Sequence, residues 1–115
     1  MSYIPALRTY TFKSATAAQT FLPFFTNAAR SLKQHHNVIM TSVFQSKTNP
    51  ARVIAMVRYP VNSQPGDIIK SYLTSEAFAK DTMGMDMKAN VERVEEEILE
   101  VVEVVSDAQA NADPA

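Results

Sequence analysis

Two β-branched and aromatic runs, Val38 to Gln45 and Arg52 to Tyr59, are separated only by the polar, turn-forming stretch Ser46-Lys-Thr-Asn-Pro-Ala51. Runs of this kind form strands, and so short a joint makes them antiparallel neighbours. The first run carries apolar side chains in both alternation sets, Val38, Met40 and Phe44 against Ile39 and Val43. Both faces of a sheet built on this hairpin therefore need cover. Helices of the same chain can cover one face, and a second copy of the sheet is the simplest cover for the other.

The rest of the chain supplies those helices and two more strands. Ile4, Ala6, Arg8, Tyr10 and Phe12 share one face of an extended opening stretch, with Leu7, Thr9 and Thr11 on the other. Thr16-Ala-Ala-Gln19 has the spacing of a capping box, and Phe21, Leu22, Phe25, Ala28, Ala29 and Leu32 follow at helical spacing. Pro23 removes one backbone bond from this helix and is expected to kink it, and the helix ends near His35, His36 and Asn37. Pro60 to Gly66 reads as a loop opening a second helix, whose buried side is Ile68, Ile69, Tyr72 and Leu73. Ser75 caps a restart of that helix, and Met83 to Met87 forms a sulfur-rich bend.

The last segment fits two patterns. Val91, Val94, Ile98, Val101, Val102 and Val105 lie at helical spacing, while Val94, Ile98, Val102 and Val104 also share one face of a strand. A strand over Val91 to Val101 completes a split βαβ order, and this decides for strand. The fold class expected is α+β: a ferredoxin-like β-α-β-β-α-β antiparallel sheet with helices on one face, pairing into a dimeric α/β barrel. The domain spans residues 1–105, and the small, polar residues 106–115 read as a disordered tail.

Charge divides along the chain. Residues 1–66 carry seven Lys and Arg and no carboxylate, whereas residues 67–115 carry four basic residues and all twelve acids. Halves so opposed either build a basic surface for anions or lie side by side and neutralise each other. The basic residues come from several elements, which favours the second and speaks against nucleic-acid binding. With the last strand beside the first, Glu92 to Glu100 should balance Arg8, Lys13 or a basic strand of a partner. The chain has no cysteine, so disulfides, thiolate nucleophiles and thiolate metal sites are excluded together. No apolar run reaches the length of a membrane span, and no signal peptide is visible, so a cytoplasmic location is expected.

Leu7-Arg-Thr-Tyr-Thr-Phe-Lys13 resembles the Leu-Arg-x-Tyr opening strand of NIPSNAP-type domains, and Lys33-Gln-His-His36 resembles the basic end of their first helix. Ser75-Glu-Ala-Phe78, then Gly84-Met-Asp-Met87 and a final strand, resemble their second half. The EthD-like proteins and the antibiotic biosynthesis monooxygenases share the architecture. The resemblance implies a homodimeric α/β barrel with a ligand pocket between sheet and helices in each subunit. It also implies action on polyketides, aromatics or related metabolites, frequently with no metal or organic cofactor. The acidic stretch from Glu95 to Val105 departs from the proline-containing end of NIPSNAP domains.

Four residues are candidates for catalysis. A neutral imidazole at His36 can take or give a proton near pH 7, and His35 beside it points about 100° away around the helix. A histidine at a helix end also serves simply as a partner of the dipole. Arg8 and Tyr10, two apart on one strand face, can together hold an enolate or carboxylate, or else Arg8 pairs with one of the final glutamates. Asp86, between two methionines, becomes a general acid or base if buried and is a plain loop carboxylate if exposed. Tyr59, Tyr72, Phe25 and Met85, together with His35, are candidates for a substrate-binding lining, with core packing as the alternative role. Adjacent histidines with no nearby acid make a poor metal site, and phosphate loops and nucleophile elbows are absent. The function expected is a cofactor-independent enzyme working on an apolar oxygenated molecule by cyclisation, isomerisation or decarboxylation. The alternatives are a non-catalytic dimer that binds a metabolite or partner, and a cofactor-free monooxygenase.

Overall fold

The hairpin that constrains the sequence lies at one edge of a four-stranded antiparallel sheet. The computed structural model describes residues 3–102. Its elements are β1 (Tyr3–Phe12), α1 (Ala15–His36), β2 (Ile39–Gln45), β3 (Arg52–Pro60), α2 (Pro65–Leu73), α3 (Glu76–Asp81), α4 (Met87–Asn90) and β4 (Val91–Ile98). The strand order is β2-β3-β1-β4, with the helices packed on one face, which is the ferredoxin-like arrangement. The expected tail over residues 106–115 lies outside the described residues, as do Val104 and Val105.

Val91–Ile98 is a strand, and its pairing shows why. Tyr10 lies opposite Val94, Arg8 opposite Glu96 and Ala6 opposite Ile98. As a helix, this acidic segment would leave one side of β1 without hydrogen-bond partners. The glutamates fall instead beside the basic first strand, and Arg8 pairs with Glu96.

Helix α1 begins two residues earlier than the capping box suggests. Ser14 is the N-cap, its hydroxyl accepting from the Ala17 N–H, while the Thr16 carbonyl accepts from the Thr20 hydroxyl inside the first turns. The helix runs through Pro23 as one element and closes on Asn37, whose left-handed φ of 55° lets its N–H reach the Leu32 and Lys33 carbonyls. Its buried stripe is Ala18, Phe21, Phe24, Phe25, Ala28 and Leu32. Phe24 therefore belongs to the stripe, and Leu22 and Ala29 lie at its margins. Phe12, Val53, Val57 and Tyr59 from the sheet, with Val38 just before β2, complete the core under α1. Ser75 caps α3 by accepting from Phe78 N–H, as its position in the sequence suggests.

The apolar positions of β2 divide differently from strict alternation. The β2–β3 register shifts between Met40 and Ser42, and this bulge reverses the side-chain order beyond it. Val43 then lies opposite Ala55 on the helix side, and Phe44 lies opposite Ile54 on the far side with Ile39. The far face carries Leu7, Ile39, Phe44, Ile54 and Met56, of which Ile39, Phe44 and Met56 are exposed. No element of the described chain covers it. Among the described residues, no helix is long and apolar enough to cross a membrane.

Candidate functional site

Between the sheet and the helices lies a cavity of about 420 Å³, opening between α2, α4 and β4. Arg8, Tyr10, Met40 and Val57 form its sheet side, and Phe24, Ala28 and Leu32 form the α1 wall. Ile69, Tyr72 and Phe78 close the third side. The lining is overwhelmingly apolar and aromatic, the character of small-molecule pockets of this size. Lys88, Glu92 and Arg93 stand at the exposed rim.

The polar atoms that Arg8 and Tyr10 present to the cavity belong to one chain of contacts running behind it across three strands. Arg8 is only 8% exposed although its guanidinium carries a full charge. Its Nε donates to the Tyr10 hydroxyl at 3.0 Å, and its Nη1 donates to Glu96 Oε2 at 3.2 Å. The same Glu96 oxygen accepts from the fully buried Tyr59 hydroxyl at 2.5 Å. The i, i+2 spacing of Arg8 and Tyr10 puts both on the helix side of β1, and antiparallel pairing delivers Glu96 to Arg8. Nη2 of Arg8 and the Tyr10 hydroxyl proton have no partner among the described residues, and both residues line the cavity.

Burial works against the charge on Arg8, but the Tyr10 hydroxyl and the Glu96 carboxylate more than offset it, so the guanidinium holds its proton more firmly than a free arginine. Burial, and then the hydrogen bond to Glu96, push the Tyr59 hydroxyl above the ordinary tyrosine range and keep it a neutral donor. Tyr72 is raised in the same way, by burial and by donating to Asp81 Oδ2 at 2.7 Å.

The remaining candidates fall elsewhere. His35 and His36 line a different crevice of about 540 Å³, with Ser31, Glu76, Lys80 and Asp81, on the other side of the Tyr72 ring. They do not meet Arg8 and Tyr10, because the last turn of α1 projects beyond the apolar cavity toward α3. His35 is exposed and His36 half-buried. Asp86 is exposed and serves as the N-cap of α4, accepting from Ala89 N–H at 3.1 Å, so burial does not turn it into an acid or base. Phe25 packs edge-to-face against the Tyr10 ring, 5.0 Å between centroids, and supports the site from the core, while its neighbour Phe24 lines it. Tyr59 acts behind the cavity through Glu96, and Met85 packs against the core while Met87 lines the cavity. Tyr72 borders both spaces. Among the described residues, no group of three or more histidines and carboxylates converges as metal ligands do.

No protein-family model matches the sequence, and no curated protein matches it. Solved structures do. A NIPSNAP domain protein from Burkholderia xenovorans superposes with a TM-score of 0.66 at 13% identity, over 90% of this chain and 99% of that one. A variant of SnoaB, a cofactor-independent oxygenase from Streptomyces nogalater, gives 0.65 at 10% identity, over 93% and 100%. A protein of the antibiotic biosynthesis monooxygenase type from Caulobacter crescentus gives 0.63 at 18% identity, over 89% and 92%. The chain shares the ferredoxin-like fold of these proteins, the subunit fold that the resemblance of its opening strand implies.

Proposed function

We propose that this protein is a small cytoplasmic enzyme of secondary metabolism that works without a cofactor. Its substrate is an apolar, oxygenated molecule of polyketide, aromatic or terpenoid character. One observation carries the reading: an apolar cavity in which a buried guanidinium and a tyrosine hydroxyl both keep donors free. A carbonyl oxygen placed against Arg8 Nη2 and the Tyr10 hydroxyl gains two fixed hydrogen bonds that strengthen as it becomes negative. The neighbouring C–H is thereby acidified, and Glu92 on the rim is a carboxylate able to take the proton. The resulting enolate can take its proton back at another carbon, which isomerises the substrate, or attack a second carbonyl and close a ring. Its reaction with dioxygen is the second reading, and the structural likeness to SnoaB, described as a cofactor-independent oxygenase, favours keeping it.

The active unit in this proposal is a homodimer. Phe44, Ile39 and Met56 on the uncovered sheet face support it, since a contiguous exposed apolar face marks an interface.

Proton exchange tests the catalytic reading. Acetophenones and 1-tetralone in D2O should exchange their α-hydrogens faster with the protein, followed by NMR. Arg8→Met or Tyr10→Phe should lower that rate about 10²-fold or more, the scale of losing one oxyanion donor. Binding without exchange identifies a non-catalytic binder, and oxygen uptake identifies the oxygenase.

A further inference from the structure

We infer that Glu96 sets the ligand class of the cavity: it keeps Arg8 charge-balanced, so the site takes a neutral carbonyl compound and discriminates against one that arrives as a carboxylate. The inference rests on the reading of this cavity as the reaction site and specifies what enters it.

A free anion reaching a buried, unpaired arginine would find a full positive charge in a medium of low polarity. That situation does not exist here. Arg8 Nη1 already meets Glu96 Oε2 at 3.2 Å, and the side chains of the pair are only 9% and 18% exposed. The two tyrosines joined to the pair are neutral donors or acceptors, so the buried quartet Arg8, Tyr10, Tyr59 and Glu96 sums to zero. A carboxylate placed against Arg8 Nη2 would bring a second negative charge beside Glu96 and pay its own desolvation as well. A ketone oxygen keeps the same hydrogen bonds without that charge. Charge that then develops on it sits closer to the Arg8 fork and the Tyr10 proton than to Glu96, which lies behind the guanidinium.

The rim does not reverse this. Lys88, Glu92 and Arg93 are exposed, and Arg93 is paired with Glu95 at 3.1 Å, so solvent and salt screen what they contribute. Tyr59 adds a second lock. Its hydroxyl donates to the same Glu96 oxygen that accepts from Arg8, which holds the carboxylate behind the guanidinium and away from the cavity. Glu96 and Tyr59 are thus positioning residues, and Glu96 in addition determines specificity through its charge.

A pair of probes with one shape and two charges provides the test: 2-acetylnaphthalene, a neutral ketone, and 2-naphthoate. Their dissociation constants are measured by fluorescence and by protein NMR shifts against wild type, Glu96→Gln and Tyr59→Phe. Wild type should bind the ketone at least about tenfold more tightly. Glu96→Gln should strengthen naphthoate at least about tenfold and leave the ketone within about threefold, since at short range one unbalanced charge outweighs such a margin. Tyr59→Phe keeps the charge, so it should shift both constants in the same direction and preserve the ketone preference. Where Glu96→Gln does not fold, Glu96→Met removes the same charge at similar length. A wild-type preference for naphthoate, or a ratio unmoved in the charge-removing variant, overturns the inference and leaves the catalytic reading standing. Probes that shift no cavity resonance in any form overturn both.

Discussion

Replacing Glu96 with alanine leaves the Arg8 guanidinium buried with no carboxylate to balance it, and the Tyr59 hydroxyl with no acceptor. Breaking a fully buried ion pair from one side costs about 3–5 kcal/mol. Here Glu96 is 18% exposed and Arg8 keeps its bond to Tyr10, so the pair belongs at or below the lower end of that range, at about 2–3 kcal/mol. The orphaned Tyr59 hydroxyl adds about 1 kcal/mol. A loss of about 3–4 kcal/mol in a domain of this length lowers the melting temperature by on the order of 10–15 °C. Urea unfolding followed by circular dichroism measures it, at one protein concentration for all variants because the proposed association would contribute to stability. Arg8→Met alone should cost less than Glu96→Ala, since water reaches the remaining carboxylate more easily than it reaches the guanidinium. The double variant Arg8→Met/Glu96→Leu should recover to within about 1 kcal/mol of wild type, because it removes both desolvated charges and keeps the volume. A Glu96→Ala cost below about 1 kcal/mol, with an unchanged denaturant slope, would refute the reasoning: Arg8 would then be hydrated from the cavity without help.

Two further outcomes follow from the fold. Tyr59 and Tyr72 have hydroxyls raised above the unfolded value of about 10, so the folded state binds more protons than the unfolded one at alkaline pH. Their contribution is full below about pH 10 and is lost as the pH rises above it; accordingly, difference spectra against Tyr59→Phe and Tyr72→Phe should show tyrosinate absorbance from these two only as the protein unfolds. Phe44→Glu places a charge on the uncovered sheet face at edge strand β2 and should convert the proposed dimer into a folded monomer at micromolar concentration, seen by sedimentation with an unchanged far-ultraviolet spectrum. Sedimentation of the wild type as a monomer would remove the interface.

Much of the fold could be read from periodicity, and the failures have local causes. The opening strand, the hairpin, the Ser75 cap and the Asn37 helix end each follow from residues adjacent in sequence. The last strand does not: its valines suit both periods, and only a vacant place beside β1 decides between them. The β2 bulge is invisible to alternation, because a single extra residue at Thr41 leaves composition unchanged while exchanging Val43 and Phe44 between faces. In the site, Arg8 and Tyr10 share a face by simple alternation, whereas Phe24 and Phe25 both fit the buried stripe of α1. Which of the two borders a cavity depends on how α2 and α3 return over the helix. The same return path places His35 and His36 in another crevice, and no local signal reports it.

The division of charge along the chain locates the site more sharply than any motif does. Within the sheet, the described residues of the basic first half and the acidic second half meet along the β1–β4 seam alone, and on the helix side of that seam the one facing charged pair among them is Arg8 and Glu96. On the far side, Glu97 of β4, beside the Arg93–Glu95 pair, shares the uncovered face with Arg52 and Arg58 of β3, separated by β1. A second copy related by a two-fold axis can bring the acidic side of one sheet over the basic side of the other while burying Phe44 and Met56 between them. One sequence-level asymmetry therefore has two consequences. Where the halves meet under the helices, charge is cancelled in the dry interior and leaves donors free for a neutral oxygen. Where they remain apart on the open face, it gives the proposed dimer its orientation, and raised salt should weaken association there while leaving the buried pair intact.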